Sequence, residues 1–188
     1  MRLHGFLILL ILGLMAGCAA PAPKPVEVLD ERTGLTLASL KEPIELLPQA
    51  DGIVFGKRPS FAYLGPLEWN RMGTIGYGLW VHIAPGTDRQ VVDIRTPGAF
   101  TLYLDDGPLT LSAVDMPTLG HDPYRAVVSW GQTAYFDLNV GMLKRMAASQ
   151  KFELDVHATD GNTLRFFPSV ETRETLSEFI RDRGLTGD

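Results

Sequence analysis

Residues 152–158, Phe-Glu-Leu-Asp-Val-His-Ala, alternate apolar and polar side chains without a fault; Asp160-Gly161 follows, and apolar residues return at 164–167. An extended chain points successive side chains to opposite faces, so this period of two describes strands with one face buried. An Asp-Gly pair between two such runs favours a tight turn, because positive φ costs these residues little. A β-hairpin is therefore expected there. A second is expected around Asp106-Gly107, with Phe100, Leu102 and Leu104 on one face before the turn and Leu109, Leu111 and Ala113 after it. Pro97-Gly98 reads as a corner feeding that pair. Further strands are predicted at 75–83, 91–95, 126–129 and 133–138. Eight or more short strands at this spacing predict a mainly β fold, an antiparallel β-sandwich or a partly open barrel.

Two helices interrupt the alternation. Asn139 can cap residues 140–149, where Leu143, Met146 and Ala147 keep helical spacing; Thr172 can cap residues 173–183, where Leu176, Phe179 and Ile180 form a stripe. Gly184 supplies the left-handed residue that ends the second helix, and Leu185 can fold back onto it. Each helix is expected to cover an open edge or end of the sheet. Glu42-Pro43 and Leu47-Pro48 break any long element in residues 26–52, which predicts short irregular pieces there.

The 188 residues carry 17 basic and 22 acidic side chains, a net charge of −5. Without clustered Lys and Arg to release counterions, nucleic acid is not an expected partner. The same balance disfavours docking of the domain on anionic headgroups through charge. Residues 26–188 are long enough to form a single β-rich domain with a core that needs neither disulfide nor metal.

Arg2 followed by an apolar run over residues 3–16 has the build of a secretory signal. Fourteen helical residues reach roughly 21 Å, short of the ~30 Å hydrocarbon core. The run ends at Met15-Ala16-Gly17-Cys18, which holds the only cysteine of the chain. This stretch resembles the bacterial lipobox, with Met15 in place of the usual Leu. The resemblance implies removal of residues 1–17, a diacylglycerol thioether on Cys18 and N-acylation by a palmitate-type chain. Residues 19–25 contain three prolines and no large apolar side chain, a composition that favours an extended tether of about 20 Å. Three acyl chains hold far more firmly than the single chain that binds only marginally. Ala19 after the cysteine, by resemblance to enterobacterial sorting, implies the outer membrane, with the domain facing the periplasm.

Several stretches approach catalytic patterns without completing them. Residues 52–58, Gly-Ile-Val-Phe-Gly-Lys-Arg, have three residues between the glycines of a phosphate loop where four are needed, and Arg58 in place of the Mg²⁺-binding hydroxyl. Residues 127–131 lack the first glycine of a nucleophile elbow around Ser129. His121-Asp122 could orient an imidazole, but no nucleophile is evident beside it. Glu153, Asp155 and His157 share one strand face at about 6.6 Å spacing, which suits either a solvated face or a metal such as zinc.

The most distinctive block is residues 64–83. Tyr77, Leu79, Val81 and Ile83 share one face of the predicted strand, while Gly76 and Gly78 leave a flat place beside Trp80 on the other. Trp69, Asn70 and Arg71 are read as a loop preceding it. Trp and Arg dominate binding hot spots, so Trp69, Asn70, Arg71 and Trp80 are the partner-binding candidates. This block resembles proteobacterial, Gram-negative lipoproteins of unknown function and implies no activity. The expectation is a lipid-anchored, non-enzymatic binding or assembly module of the cell envelope with no cofactor, acting on an envelope protein or the cell wall. The alternatives are a small-ligand or metal-binding lipoprotein, and a hydrolase without a recognisable motif.

Overall fold

The computed structural model describes residues 24–49, 59–86, 92–115 and 122–185. The alternating runs become ten antiparallel strands in one sheet: β1 (Val26–Asp30), β2 (Leu35–Ser39), β3 (Ile44–Pro48), β4 (Phe61–Arg71), β5 (Thr74–Ala84), β6 (Phe100–Leu104), β7 (Gly107–Leu111), β8 (Gln132–Leu138), β9 (Phe152–His157) and β10 (Thr163–Pro168). Helix α1 (Val140–Ala148) lies between β8 and β9, and α2 (Val170–Asp182) follows β10. The sheet is open and strongly curled, the partly open barrel of the two expected architectures. Hydrogen-bonded order runs β8-β5-β4-β3-β10-β9-β6-β7. A single bridge from Ala113 to Phe136 draws the chain after β7 back to β8.

Register stacks the apolar side chains on the concave face. Leu64, Val81 and Ala134 form one row across β4, β5 and β8. Phe152, Leu154 and Val156 oppose Leu104, Leu102 and Phe100 on β6. Phe100 meets Phe136 edge-on at 4.9 Å, tying the two sides of the curl together. Leu143 and Met146 of α1, with Leu176, Phe179 and Ile180 of α2, complete the same core. The Asn139 side chain accepts the Met142 N–H at 2.9 Å, as a capping asparagine should. At the end of α2, Gly184 has φ +67°; its N–H reaches Arg181 O at 3.0 Å, and that of Leu185 reaches Ile180 O at 3.0 Å. This is the fold-back that Gly184 and Leu185 predict.

β4 is a central strand that contains a proline, which removes a ladder donor. The register accommodates it. On one edge β4 pairs with β3 through residues 62–64 and with β2 through 67–71, leaving Gly65-Pro66 in the gap between the two shorter strands. Tyr124 fills that gap. Its hydroxyl donates to Pro66 O at 2.8 Å and accepts the Leu40 N–H at 3.0 Å. Its ring lies so close to Gly65 that an added Cβ would stand 2.2 Å from it.

Several expectations are corrected. Residues 26–48 are three strands, because Pro43 and Pro48 fall between or at the ends of strands and not inside them. Trp69, Asn70 and Arg71, read as a loop, belong to β4. The turn at Met72-Gly73 has φ of 53° and 90°, the paired positive values of a tight hairpin in which Asn or Asp would be usual. Residues 92–95 form no strand: the Asp93 carboxylate takes the Arg95 N–H at 3.1 Å and the Thr96 hydroxyl at 2.7 Å, a local turn that competes with a ladder. Residues 126–129 run as irregular chain ending in a turn, Gly131 N to Val128 O at 3.2 Å. The β6–β7 turn is Asp105-Asp106, with Gly107 opening β7 at φ +123°. Helix α2 starts after Ser169, so Thr172 is a buried residue inside it and not its cap.

Candidate functional site

The hairpin β4–β5 runs the length of the molecule, and its two ends differ. At the turn end, the Asn70 side chain accepts the Gly73 N–H at 2.9 Å and fixes the tip. Trp69 lies flat on the face that Gly76 and Gly78 leave open. An added Cβ would stand 2.4 Å from its ring at Gly76 and 2.7 Å at Gly78. The flat glycine surface is therefore filled by the chain's own indole and is not a ligand site. Arg71 is exposed. Across the sheet, Leu29, Thr36, Asn70 and Ile75 stand in one row. Met72 at the tip is 96% exposed, with Leu29 at 60% and Ile75 at 53%.

Trp80, expected as a partner-binding residue, does not reach the surface. It is buried between Tyr124, 5.1 Å away, and His82, stacked at 5.5 Å and 13°. Of the four candidates, Arg71 is exposed, Asn70 and Trp69 are half-buried and serve the hairpin, and Trp80 is core.

At the other end, residues 122–131 cross the convex face of β4, β5 and β8. Their backbone covers His82, whose Nδ1 shares a hydrogen bond of 2.9 Å with Thr133 Oγ1. Nε2 lies against Gly131, where a Cβ would stand 2.3 Å away, and it makes no well-formed hydrogen bond although the Val128 carbonyl is on that side. Burial holds this imidazole below its usual pKa. The same segment carries Val127 and Trp130 outward, Trp130 being 60% exposed. Beside them opens a groove of about 720 Å³ whose lining includes Lys41, Glu45, Tyr63, Arg125, Val127 and Ser129. A second hollow of about 530 Å³, sharing Lys41 and Glu45, continues toward Ser169 and Thr175 of the α2 start. Burial, with help from the Glu45 charge, raises the Tyr63 phenol above its usual pKa. Two cations, two hydroxyls and the two carboxylates of Glu42 and Glu45 facing one groove can exchange hydrogen bonds and meet charge of either sign.

The charges of β9 and of the β6–β7 turn each have a partner of their own. Glu153, Asp155 and His157 project from one face of β9, but each has a separate partner. Asp155, buried, is held at both oxygens by Arg165 from the facing position on β10, at 2.7 and 2.8 Å. Glu153 faces Lys151 at 3.9 Å, and His157 Nδ1 meets Thr163 Oγ1 at 2.9 Å. Among the described residues, no three His, Cys, Asp or Glu side chains gather where they could hold a metal ion. Buried Glu68 binds Arg183, which also reaches Glu27. The Asp105 carboxyl is pulled below its usual range by the Gln150 and Lys151 N–H groups at 2.6 and 2.7 Å, and Asp106 by Arg145, so the β6–β7 turn fastens the end of α1.

Ser129 is exposed. Cys18, residues 52–58 and His121 lie outside the described residues. Trp130, Tyr124 and Met72 were not singled out in the sequence. For Tyr124 the only signal was Gly65-Pro66, a gap in a strand that some other side chain had to fill. Among the described residues no helix is long and apolar enough to cross a membrane, which says nothing of strands. No family model, curated protein or solved structure matches the chain.

Proposed function

We propose that this chain is an envelope lipoprotein, acylated on Cys18 and held by residues 19–25 at the outer membrane. Its domain works as a non-enzymatic docking module in the periplasm. The observation that carries the docking role is the exposure of Val127 and Trp130 on the one segment whose Arg125, Val127 and Ser129 line the groove. Trp80 and Tyr124 nearby are buried, so Trp130 is not left out for want of a core. An indole loses solvent cheaply and immobilises few torsions on binding, which is why such residues anchor interfaces. The partner is an envelope protein, with Trp130 seated in an apolar pocket and the mixed charges of the groove forming a polar rim.

The test has two parts. Mass spectrometry of the protein from its native membrane should find a chain starting at an acylated Cys18. A photo-crosslinking residue in place of Trp130, activated in intact cells, should give one discrete adduct, lost when Val127→Asp is added. An unmodified position 18 removes the anchor, and a crosslinker at 130 that yields no discrete adduct removes the docking role.

A further inference from the structure

Nine large apolar side chains are exposed among the described residues, and five of them, Val26, Val28, Leu29, Met72 and Ile75, lie on β1 and the tip of the β4–β5 hairpin. Among the described residues β1 pairs with β2 alone, and its other edge has no strand beside it. Solvent-facing edges are usually blunted by lysine, proline or inward charge. Here Glu27 shares the Arg183 guanidinium with Glu68, and Asp30 is turned into the β1–β2 turn, accepting the Arg32 N–H at 3.0 Å. At the tip, a methionine occupies a left-handed position that favours Asn, Asp or Gly, and its side chain is 96% exposed among the described residues. Lys24, Arg32 and Arg71 stand exposed around the same corner, together with the carboxylates of Glu27 and Glu31.

The chain outside the structure limits what can cover this corner. β1 opens at Val26, eight residues after Cys18. Even fully extended, eight residues span at most about 28 Å. A flap on so short a lead is held at the surface of the bilayer in which the acyl chains sit. We propose that the corner formed by β1 and the Met72 tip rests in the headgroup region of that same phospholipid leaflet, with Met72, Ile75 and Leu29 toward the acyl boundary and Arg71, Arg32 and Lys24 at phosphate level. Apolar side chains rimmed by cations are the composition that binds such interfaces, by area plus charge. The net charge of −5 counts the whole surface, whereas this contact depends on one corner of it. Eight residues of β4 separate Met72 from Tyr63, so the groove stands up to roughly 30 Å away, turned into the periplasm.

This inference rests on the lipid anchor, and the experiment separates the two. The acylated full-length protein, its modification confirmed by mass spectrometry, is reconstituted into vesicles of phosphatidylethanolamine and phosphatidylglycerol containing brominated acyl chains. With Cys18 acylated, Met72→Cys supplies the one free thiol for an environment-sensitive fluorophore, and Asp160→Cys on the β9–β10 turn supplies the control. The position 72 probe should shift to the blue and be quenched about twofold or more, as insertion by several ångströms requires, with the position 160 probe unchanged. In a second pair labelled at Ile75→Cys, Met72→Asn should weaken the quenching. Acylated protein whose position 72 probe stays in water overturns the inference while leaving the anchor intact. A probe shielded from water-soluble quenchers but untouched by bromine assigns the corner to a second copy or another protein, which also overturns it. Absence of acylation refutes the anchor itself.

Discussion

The two ends of the β4–β5 hairpin are built from the same pair of strands and have opposite surroundings. At the Tyr63–His82 end both faces are covered, the concave one by the core and the convex one by residues 122–131. At the Arg71–Thr74 end residues 71–75 are exposed among the described residues, and Leu29 with them. Register explains the difference. β3 and β2 share one edge of β4 end to end, and the continuous curl goes on through β3, so the β2 half with β1 projects as a flap beyond it. An apolar side chain at the first end is there for stability; at the second, the exposed Met72, Ile75 and Leu29 contribute almost nothing to the isolated fold.

Substitutions should separate the ends. The largest effect is expected from Trp80→Ala, which empties a site packed by Tyr124 and His82 and should cost about 3–5 kcal/mol in denaturant unfolding. Met72→Ala at the other end should change the same measurement by less than about 0.5 kcal/mol. Gly76→Ala lies between them. Its Cβ would displace the Trp69 indole, costing about 1–3 kcal/mol, and most of that cost should vanish in a Trp69→Ala background.

A smaller effect should appear with pH. Because burial depresses the His82 pKa, the unfolded chain binds a proton that the folded chain does not. The stability from neutral His82 is complete above about pH 6.5 and is lost as pH falls below that value. His82→Gln should flatten that part of the stability profile. The smallest change is an increase: Met72→Asn, better suited to left-handed φ, should stabilise the isolated protein by about 0.5–1 kcal/mol. A gain in stability joined to weaker bilayer contact would mark Met72 as retained for something other than folding.

The hairpins flanking Asp106 and Asp160 and both helices were legible because their signals are local: alternation, an Asp-Gly pair, a capping Asn139, a terminal Gly184. The β4–β5 hairpin, the longest element, was half missed. Its turn uses Met72-Gly73, and Gly65-Pro66 reads as a loop until the gap between β3 and β2 is known. The strands at 91–95 and 126–129 failed for the opposite reason. Their residues suit a strand, but Asp93 satisfies its neighbours locally and residues 126–129 lie over a sheet already complete. The partner-binding candidates were chosen by residue type, which does not distinguish Trp80, sealed under Tyr124, from Trp130, turned outward.

By itself the sequence determined a mainly β, antiparallel chain with two helices, because period, turn residues and spacing act over a few neighbours. Only the tertiary structure decided which edge of β4 each short strand takes, that Trp69 fills the glycine face, that Arg165 holds Asp155, and which tryptophan faces water. Those outcomes depend on residues distant in sequence competing for the same space, and no local pattern records which of them wins.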